Sequence, residues 1–194
     1  MNILEIYEAA GISSLPADPA AAARTLGIKV AGYGAVAQSY EQTVENLYKY
    51  SRFGFSFKDE RGFVIAVNEN SCGERRRRFT IAHELGHCVL GHLGHGSPNK
   101  YEEREANRFA AEFLAPTAVL NCCGVNSAGE IASLCGISQS AAEIVFAELS
   151  LKRRSERGFF EFPENIALMG QFSAFIKRYR EFKNNSRQVI GKSY

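Results

Sequence analysis

The feature that most constrains the fold is the pentapeptide His83-Glu84-Leu85-Gly86-His87. Apolar residues flank it on both sides, which predicts a buried helix that begins near Glu74 and ends at Gly91. A charged Glu84 inside such a helix is unfavourable unless that carboxylate has a specific task. The chemistry of the chain is therefore expected at this helix.

Two histidines four residues apart lie on the same face of a helix, one turn apart. The imidazoles of His83 and His87 can thus reach one Zn²⁺ at about 2.0–2.1 Å, with Glu84 beside the water that completes the site. Glu84 is then placed to deprotonate that water. The competing interpretation is a helix with two surface histidines paired to glutamates, and the apolar flanks argue against it.

A catalytic zinc usually keeps three protein ligands and an open position, so a third ligand is needed. The extended motif H-E-x-x-H-x-x-G-x-x-H requires Gly at position 90 and His at position 93. This chain has Leu90 and Leu93 there. His92 lies one residue out of that register and ranks low as a ligand.

A second predicted helix, from about Glu102 to Leu114, offers a better third ligand and is expected to pack on the first. Glu103 and Asn107 share one face, so the carboxylate can complete a zinc site while the amide hydrogen-bonds a ligand histidine. Glu105 is the runner-up ligand. Glu102 is interpreted as a solvated residue in an acidic first turn.

The strings RFTIAHELGH, residues 78–87, and EREANRFAAEFLAP, residues 103–116, resemble the ImmA/IrrE family of zinc metallopeptidases. The resemblance is close over residues 64–116, weak in the C-terminal third, and departs at Phe113-Leu114-Ala115-Pro116, where members more often have LLMP. In that family the two helices bind the metal beside a small sheet. His92 falls where many members have a histidine, and its role is open.

The resemblance implies a role for each matching position in this chain. One Zn²⁺ per chain would be held by His83, His87 and Glu103. Glu84 would be the general base, and Asn107 would orient a ligand. The donor that stabilises the oxyanion is unassigned, with Tyr101 and His95 as weak candidates.

Members of the family often cleave a helix-turn-helix repressor or antitoxin encoded nearby, which switches on mobile-element transfer, phage induction or a stress response. The resemblance thus implies a zinc-dependent endopeptidase with such a regulator as its protein substrate. The competing interpretation is a DNA- or protein-binding module with a structural or inactive zinc site. An extended substrate would pair with the strand Phe63–Val67 if that strand lies at an edge.

The fold class is expected to be α+β, with a small twisted antiparallel or mixed sheet packed on the two helices. The sequence predicts, in order, an N-terminal helix, a helix from Asp18-Pro19 to Gly27, a strand at 28–33, a helix at 38–50 and a β-hairpin at 53–67. A catalytic domain of residues 1–116 and a mainly helical region of residues 117–194 are expected.

Residues 127–149 have the rhythm of a helix-turn-helix, with a turn at Gly136-Ile137-Ser138. The second helix of this pair carries Glu143 and Glu148 and no Arg or Lys up to position 149, which suits neither phosphate nor guanine contact. A packing or protein-binding role is therefore favoured over DNA binding. A short strand, FFEF, and an amphipathic helix from Glu164 to Phe182 are predicted to follow.

The net charge of +2 conceals an asymmetry, because residues 1–150 carry 13 Lys and Arg against 17 Asp and Glu, and residues 151–194 carry 10 against 4.

No window approaches the roughly 20 apolar residues of a membrane span, and no signal peptide is recognised. The five cysteines form no C-x-x-C pair and are expected to be reduced, with Cys88, Cys122 and Cys123 as buried structural thiols. A cytoplasmic location is expected, without membrane association. The arginine run 75–78 is interpreted as a solvated helix start.

Overall fold

The computed structural model describes residues 1–70, 73–94, 97–154 and 162–190. The chain divides into two compact units. The N-terminal unit comprises Met1–Ala10 and Ala17–Leu114, and the C-terminal unit comprises Gly11–Pro16 and the chain from Ala115 onward. The predicted α+β class is confirmed.

The N-terminal unit contains the sheet and the two helices that carry the motif residues. Its elements are α1 (Ile3–Ala9), α2 (Pro19–Thr25), β1 (Lys29–Gly32), α3 (Tyr33–Ser39), α4 (Val44–Leu47), β2 (Gly54–Asp59), β3 (Gly62–Val67), α5 (Glu74–Leu90) and α6 (Lys100–Leu114). Asp18 caps α2 and Pro19 is its first residue, as predicted.

The sheet is mixed, with the strand order β1-β3-β2. β1 runs parallel to β3, and β2 pairs antiparallel with it as the predicted hairpin, which places Ser56 opposite Ile65. Val64 to Val67 are buried, and β3 has a paired strand on each side. The idea that a substrate pairs with Phe63–Val67 is therefore wrong, since both edges of β3 are already occupied.

Helices α5 and α6 pack closely at Gly86. A Cβ atom at that position would lie 3.0 Å from Phe109 Cδ1 and 3.3 Å from the Cα atom of Ala106. The absence of a side chain at Gly86 thus allows the two helices to approach. α5 ends at Gly91, whose φ of 80° is a left-handed conformation that favours glycine.

Two predicted helices are each divided in the structure. The segment 38–50 contains the end of α3 and the separate α4, because Glu41 at φ 51° interrupts the helical backbone and Thr43 caps a new helix. α3 also begins at Tyr33, which was predicted to end a strand. The segment 164–182 falls on two helices, with a break at the buried Phe172.

The described part of the C-terminal unit is helical. Its elements are α7 (Thr117–Cys123), α8 (Ala128–Cys135), α9 (Gln139–Arg154), α10 (Pro163–Gln171) and α11 (Ser173–Ile190). The predicted FFEF strand lies mostly outside the described residues, and its last residue, Phe162, is the N-cap of α10.

The predicted helix pair at 127–149 is confirmed as α8 and α9, joined through Gly136 at φ 63°. The hydroxyls of Ser127 and Ser138 accept hydrogen bonds at the starts of the two helices, from the N–H groups of Glu130 and Ala141. In the described ranges no single helix is long and apolar enough to cross a membrane. Taken together, α8 and α9 are long and apolar enough by length and composition only, and the pair is bent by 117°.

Candidate metal centre

Three side chains of the N-terminal unit converge between α5 and α6. The Nε2 atoms of His83 and His87 lie 3.1 Å apart, one helical turn from each other on α5. Glu103, in the first turn of α6, places one carboxylate oxygen 3.4 Å from His83 Nε2 and the other 3.5 Å from His87 Nε2. These three residues form a group whose ligand atoms all lie within 4.8 Å of one another.

The separations fit a zinc ion. Tetrahedral ligands with bonds of about 2.0–2.1 Å lie about 3.3–3.4 Å apart. The observed separations of 3.1, 3.4 and 3.5 Å between donor atoms of different residues are close to that value. Two imidazoles and a carboxylate are also a donor set found in catalytic zinc sites. The Glu103 side chain is 47% exposed, whereas His87 is almost fully buried, so the cluster is reachable from the Glu103 side.

The environment of both histidines favours the neutral form of the ring. Burial lowers the pKa of His83, against the opposing charge of Glu103. Burial, with the neighbouring His83 ring next, lowers the pKa of His87 to about 4. Both rings are therefore neutral at neutral pH, the form that binds a metal.

Asn107 lies on the outer side of His83. Its Oδ1 atom is 3.2 Å from His83 Nδ1, and an amide oxygen can only accept, so the Nδ1 atom donates. The proton assignment leaves the lone pair of Nε2 directed at the cluster. The Asn107 amide thus contacts one of the two motif histidines, and its orienting role stays a prediction.

Glu84 is buried, with 8% of its surface exposed, and it faces β2. The Ser56 hydroxyl donates a hydrogen bond of 2.7 Å to Glu84 Oε2. Burial raises the pKa of Glu84 to about 7, the Ser56 hydrogen bond opposes that rise, and the charge of Glu103 adds to it. A carboxylate with a pKa near the working pH is suited to general acid–base catalysis.

Ser56 was missed by the sequence analysis. It lies between Phe55 and Phe57, so its side chain points to the opposite face of β2 from the two rings. A single polar residue between two aromatic residues in a predicted strand was the available signal. The pattern could not identify Glu84 as the partner of Ser56, because the two residues lie on different elements of the fold, β2 and α5.

Two other candidates, His92 and Glu105, lie outside the group of His83, His87 and Glu103. The Nδ1 atom of His92 lies 3.1 Å from the outer nitrogen of His87, and its Nε2 atom lies 3.3 Å from Glu105 Oε2. Glu105, the runner-up ligand, is thus placed against His92 and outside the cluster of three. Tyr101 has an exposed side chain in the first turn of α6, and His95 lies outside the described residues.

Two other sequence features, Cys88 and the arginine run 75–78, lie in surroundings that fit a structural role. The Cys88 thiol is buried, and burial raises its pKa to about 12, which fits the predicted inert thiol. In the arginine run, Arg78 donates to the backbone oxygen of Ala17 at 2.7 Å, and Arg76 lies 4.9 Å from the ring centroid of Phe53.

A mixed sheet packed beside a helix with two histidines, and a following helix with a carboxylate, define a metallopeptidase-like unit. The sequence model of the IrrE N-terminal-like domain, peptidase family M78, matches residues 43–144. Because the match spans more than half of the sequence, the chain belongs to this peptidase family, as the resemblance implied. Neither the curated proteins nor the solved structures give a significant match.

Proposed function

We propose that the protein is a zinc-dependent endopeptidase, with His83, His87 and Glu103 as metal ligands and Glu84 as the general base. The observation that carries the proposal is the close approach of three side chains. The two Nε2 atoms lie 3.1 Å apart, and the two carboxylate oxygens of Glu103 lie 3.4 Å from His83 Nε2 and 3.5 Å from His87 Nε2. The buried carboxylate of Glu84 lies on the same helix as both histidines. Membership of a peptidase family gives the reaction class.

The residues then have separate tasks in peptide hydrolysis. Zinc, when bound, supplies a Lewis acid that polarises the scissile carbonyl and lowers the pKa of a water molecule. Glu84 accepts a proton as the water oxygen bonds to the carbonyl carbon, and it returns that proton to the leaving amine as the C–N bond breaks. Ser56 holds one oxygen of Glu84, so the other is available for proton transfer.

The position of β2 supports an extended substrate. β2 has β3 on one side, and its other edge carries no strand among the described residues. A peptide that adds to this edge would form main-chain hydrogen bonds beside the strand that holds Ser56 against Glu84. Such binding tolerates many sequences, and side-chain pockets would supply the specificity.

The substrate class is proposed from the family resemblance: a helix-turn-helix repressor or antitoxin. The exposed face of α9 presents Glu143, Ile144 and Glu148. Acidic and apolar groups suit a protein surface better than a phosphate backbone. The C-terminal unit is therefore assigned to protein recognition, and DNA binding is the alternative.

The test is incubation of the zinc-loaded protein with the regulator encoded beside its gene, followed by mass spectrometry of the fragments. The wild type is expected to cut at one site, and Glu84→Gln, which keeps all three ligands, is expected to bind zinc and leave the regulator intact. Equal cleavage by both proteins would overturn the mechanism. Salt-dependent DNA binding that survives His83→Ala would favour the alternative.

A further inference from the structure

His92 and Glu105 extend the network of His87 away from the metal site. His92 is 5% exposed, and its Nδ1 atom lies 3.1 Å from His87 Nδ1. Its other ring nitrogen lies 3.3 Å from the carboxylate of Glu105, on α6. The two residues thus connect the outer side of His87 to the neighbouring helix.

The end of α5 explains how His92 reaches this place. Gly91 adopts φ 80°, which turns the chain back over the last helical turn. The N–H groups of Gly91 and His92 both donate to the carbonyl oxygen of His87, the latter at 3.0 Å. The backbone of His92 is therefore anchored to the same residue that its ring contacts.

One arrangement of protons allows both contacts of His92 to be hydrogen bonds. An ionised carboxylate can only accept, so the Nε2 atom of a neutral His92 carries its hydrogen toward Glu105. His92 Nδ1 is then an acceptor, and the facing Nδ1 atom of His87 must be the donor. This leaves His87 Nε2 with a free lone pair directed at His83 and Glu103.

We propose that His92 and Glu105 are positioning residues that hold His87 in the Nδ1–H form, with its Nε2 atom set for the metal. The inference rests on the proposed zinc site. Asn107 serves His83 in the same way, through a contact of 3.2 Å. Each ligand histidine thus has its own acceptor on the outer ring nitrogen. Loss of such an outer partner typically weakens metal binding by about 10–100-fold.

The test is the zinc dissociation constant of the full chain, measured by competition with a chelator. His92→Phe keeps the ring volume but removes the acceptor, and it is expected to raise the constant about 10–100-fold. His92→Gln offers an amide oxygen to the His87 proton and is expected to recover most of that loss. Glu105→Gln removes the charge that holds the His92 proton and is expected to raise the constant by up to about tenfold.

The matched control is Glu102→Gln, the same change three residues earlier on α6, where the carboxylate instead accepts from the Asn99 N–H. Its zinc constant is expected to change less than that of Glu105→Gln, because Glu102 acts on His87 through its charge alone and makes no contact with His92. Melting temperatures in EDTA show whether each variant is folded without metal, and if His92→Phe is unfolded, His92→Gln and Glu105→Gln decide the question.

Three results would overturn the proposal. One is a zinc constant for folded His92→Phe within about twofold of the wild type, far below the expected loss. Another is a His92→Gln variant that binds no better than His92→Phe. The third is equal weakening by Glu102→Gln and Glu105→Gln, which would assign the effect to helix charge. A wild type that binds no zinc would instead refute the proposed function.

Discussion

Replacement of Glu84 by Gln is expected to stabilise the metal-free protein at neutral and alkaline pH. Glu84 is buried, and burial raises its pKa to about 7 from an ordinary value of 4.5. At about 1.4 kcal/mol per pH unit, ionisation of this carboxyl group removes about 3 kcal/mol from the free energy of unfolding. Gln has nearly the same shape, can accept the Ser56 hydrogen bond, and carries no charge.

The sign of the pH dependence follows from the direction of the shift. Because the pKa is higher in the folded protein, the contribution of protonated Glu84 is fully present below about pH 4.5 and is lost as the pH rises through about 7. The Glu84→Gln variant has no such loss. The stability difference between the two proteins should therefore be small at pH 5 and about 2–3 kcal/mol at pH 8.

The assay is denaturant unfolding of both proteins in EDTA at pH 5 and pH 8. Glu60→Gln, which changes an exposed carboxylate in the hairpin turn, is the control and should stay within about 0.5 kcal/mol of the wild type at both pH values. If Glu84→Gln is no more stable than the wild type at pH 8, the burial argument is refuted. An equal stability difference between Glu84→Gln and the wild type at pH 5 and pH 8 would refute it as well.

Three further changes test how the site is held together. Gly86→Ala brings a Cβ atom to 3.0 Å from Phe109 Cδ1. The overpacking should lower the free energy of unfolding by about 1–3 kcal/mol, which should exceed the gain of about 1 kcal/mol from higher helix propensity. Unfolding in EDTA measures this, and unchanged stability would contradict it. Ser56→Ala removes a hydrogen bond that lowers the pKa of Glu84, so the acidic limb of kcat/KM against pH should move up by about one pH unit. An acidic limb that stays at the wild-type pH or moves to lower pH would contradict this. Glu103→Gln should weaken zinc binding in chelator competition by more than about 100-fold, beyond the loss expected for a residue outside the ligand set. A smaller loss of zinc affinity would show that Glu103 is not a metal ligand.

The local parts of the site were predictable from sequence. The spacing of His83 and His87 and the stop at Gly91 are set within one helix, and the structure has α5 over Glu74–Leu90. Glu103 was selected as the better ligand because it shares a helix face with Asn107. Its carboxylate lies beside both histidine rings, whereas Glu105 lies beside His92.

The contacts that sequence reasoning missed join residues far apart in the chain. β3 lies in the centre of the sheet because Lys29, Val30 and their neighbours on β1 pair with it, and no local pattern in 63–67 reports that partner. The Ser56–Glu84 hydrogen bond has the same origin. The division of the predicted helix at 38–50 depends on the single positive φ of Glu41, a conformation that glutamate rarely adopts.

Zinc-edge X-ray absorption of the zinc-loaded protein identifies the atoms bound to the metal, so it decides whether His83, His87 and Glu103 are the ligands. We expect one zinc per chain with two imidazole nitrogens and oxygen ligands at about 2.0–2.1 Å, and loss of one oxygen ligand in Glu103→Ala. A sulfur shell at about 2.3 Å, or a spectrum unchanged in Glu103→Ala, would contradict the assignment of His83, His87 and Glu103.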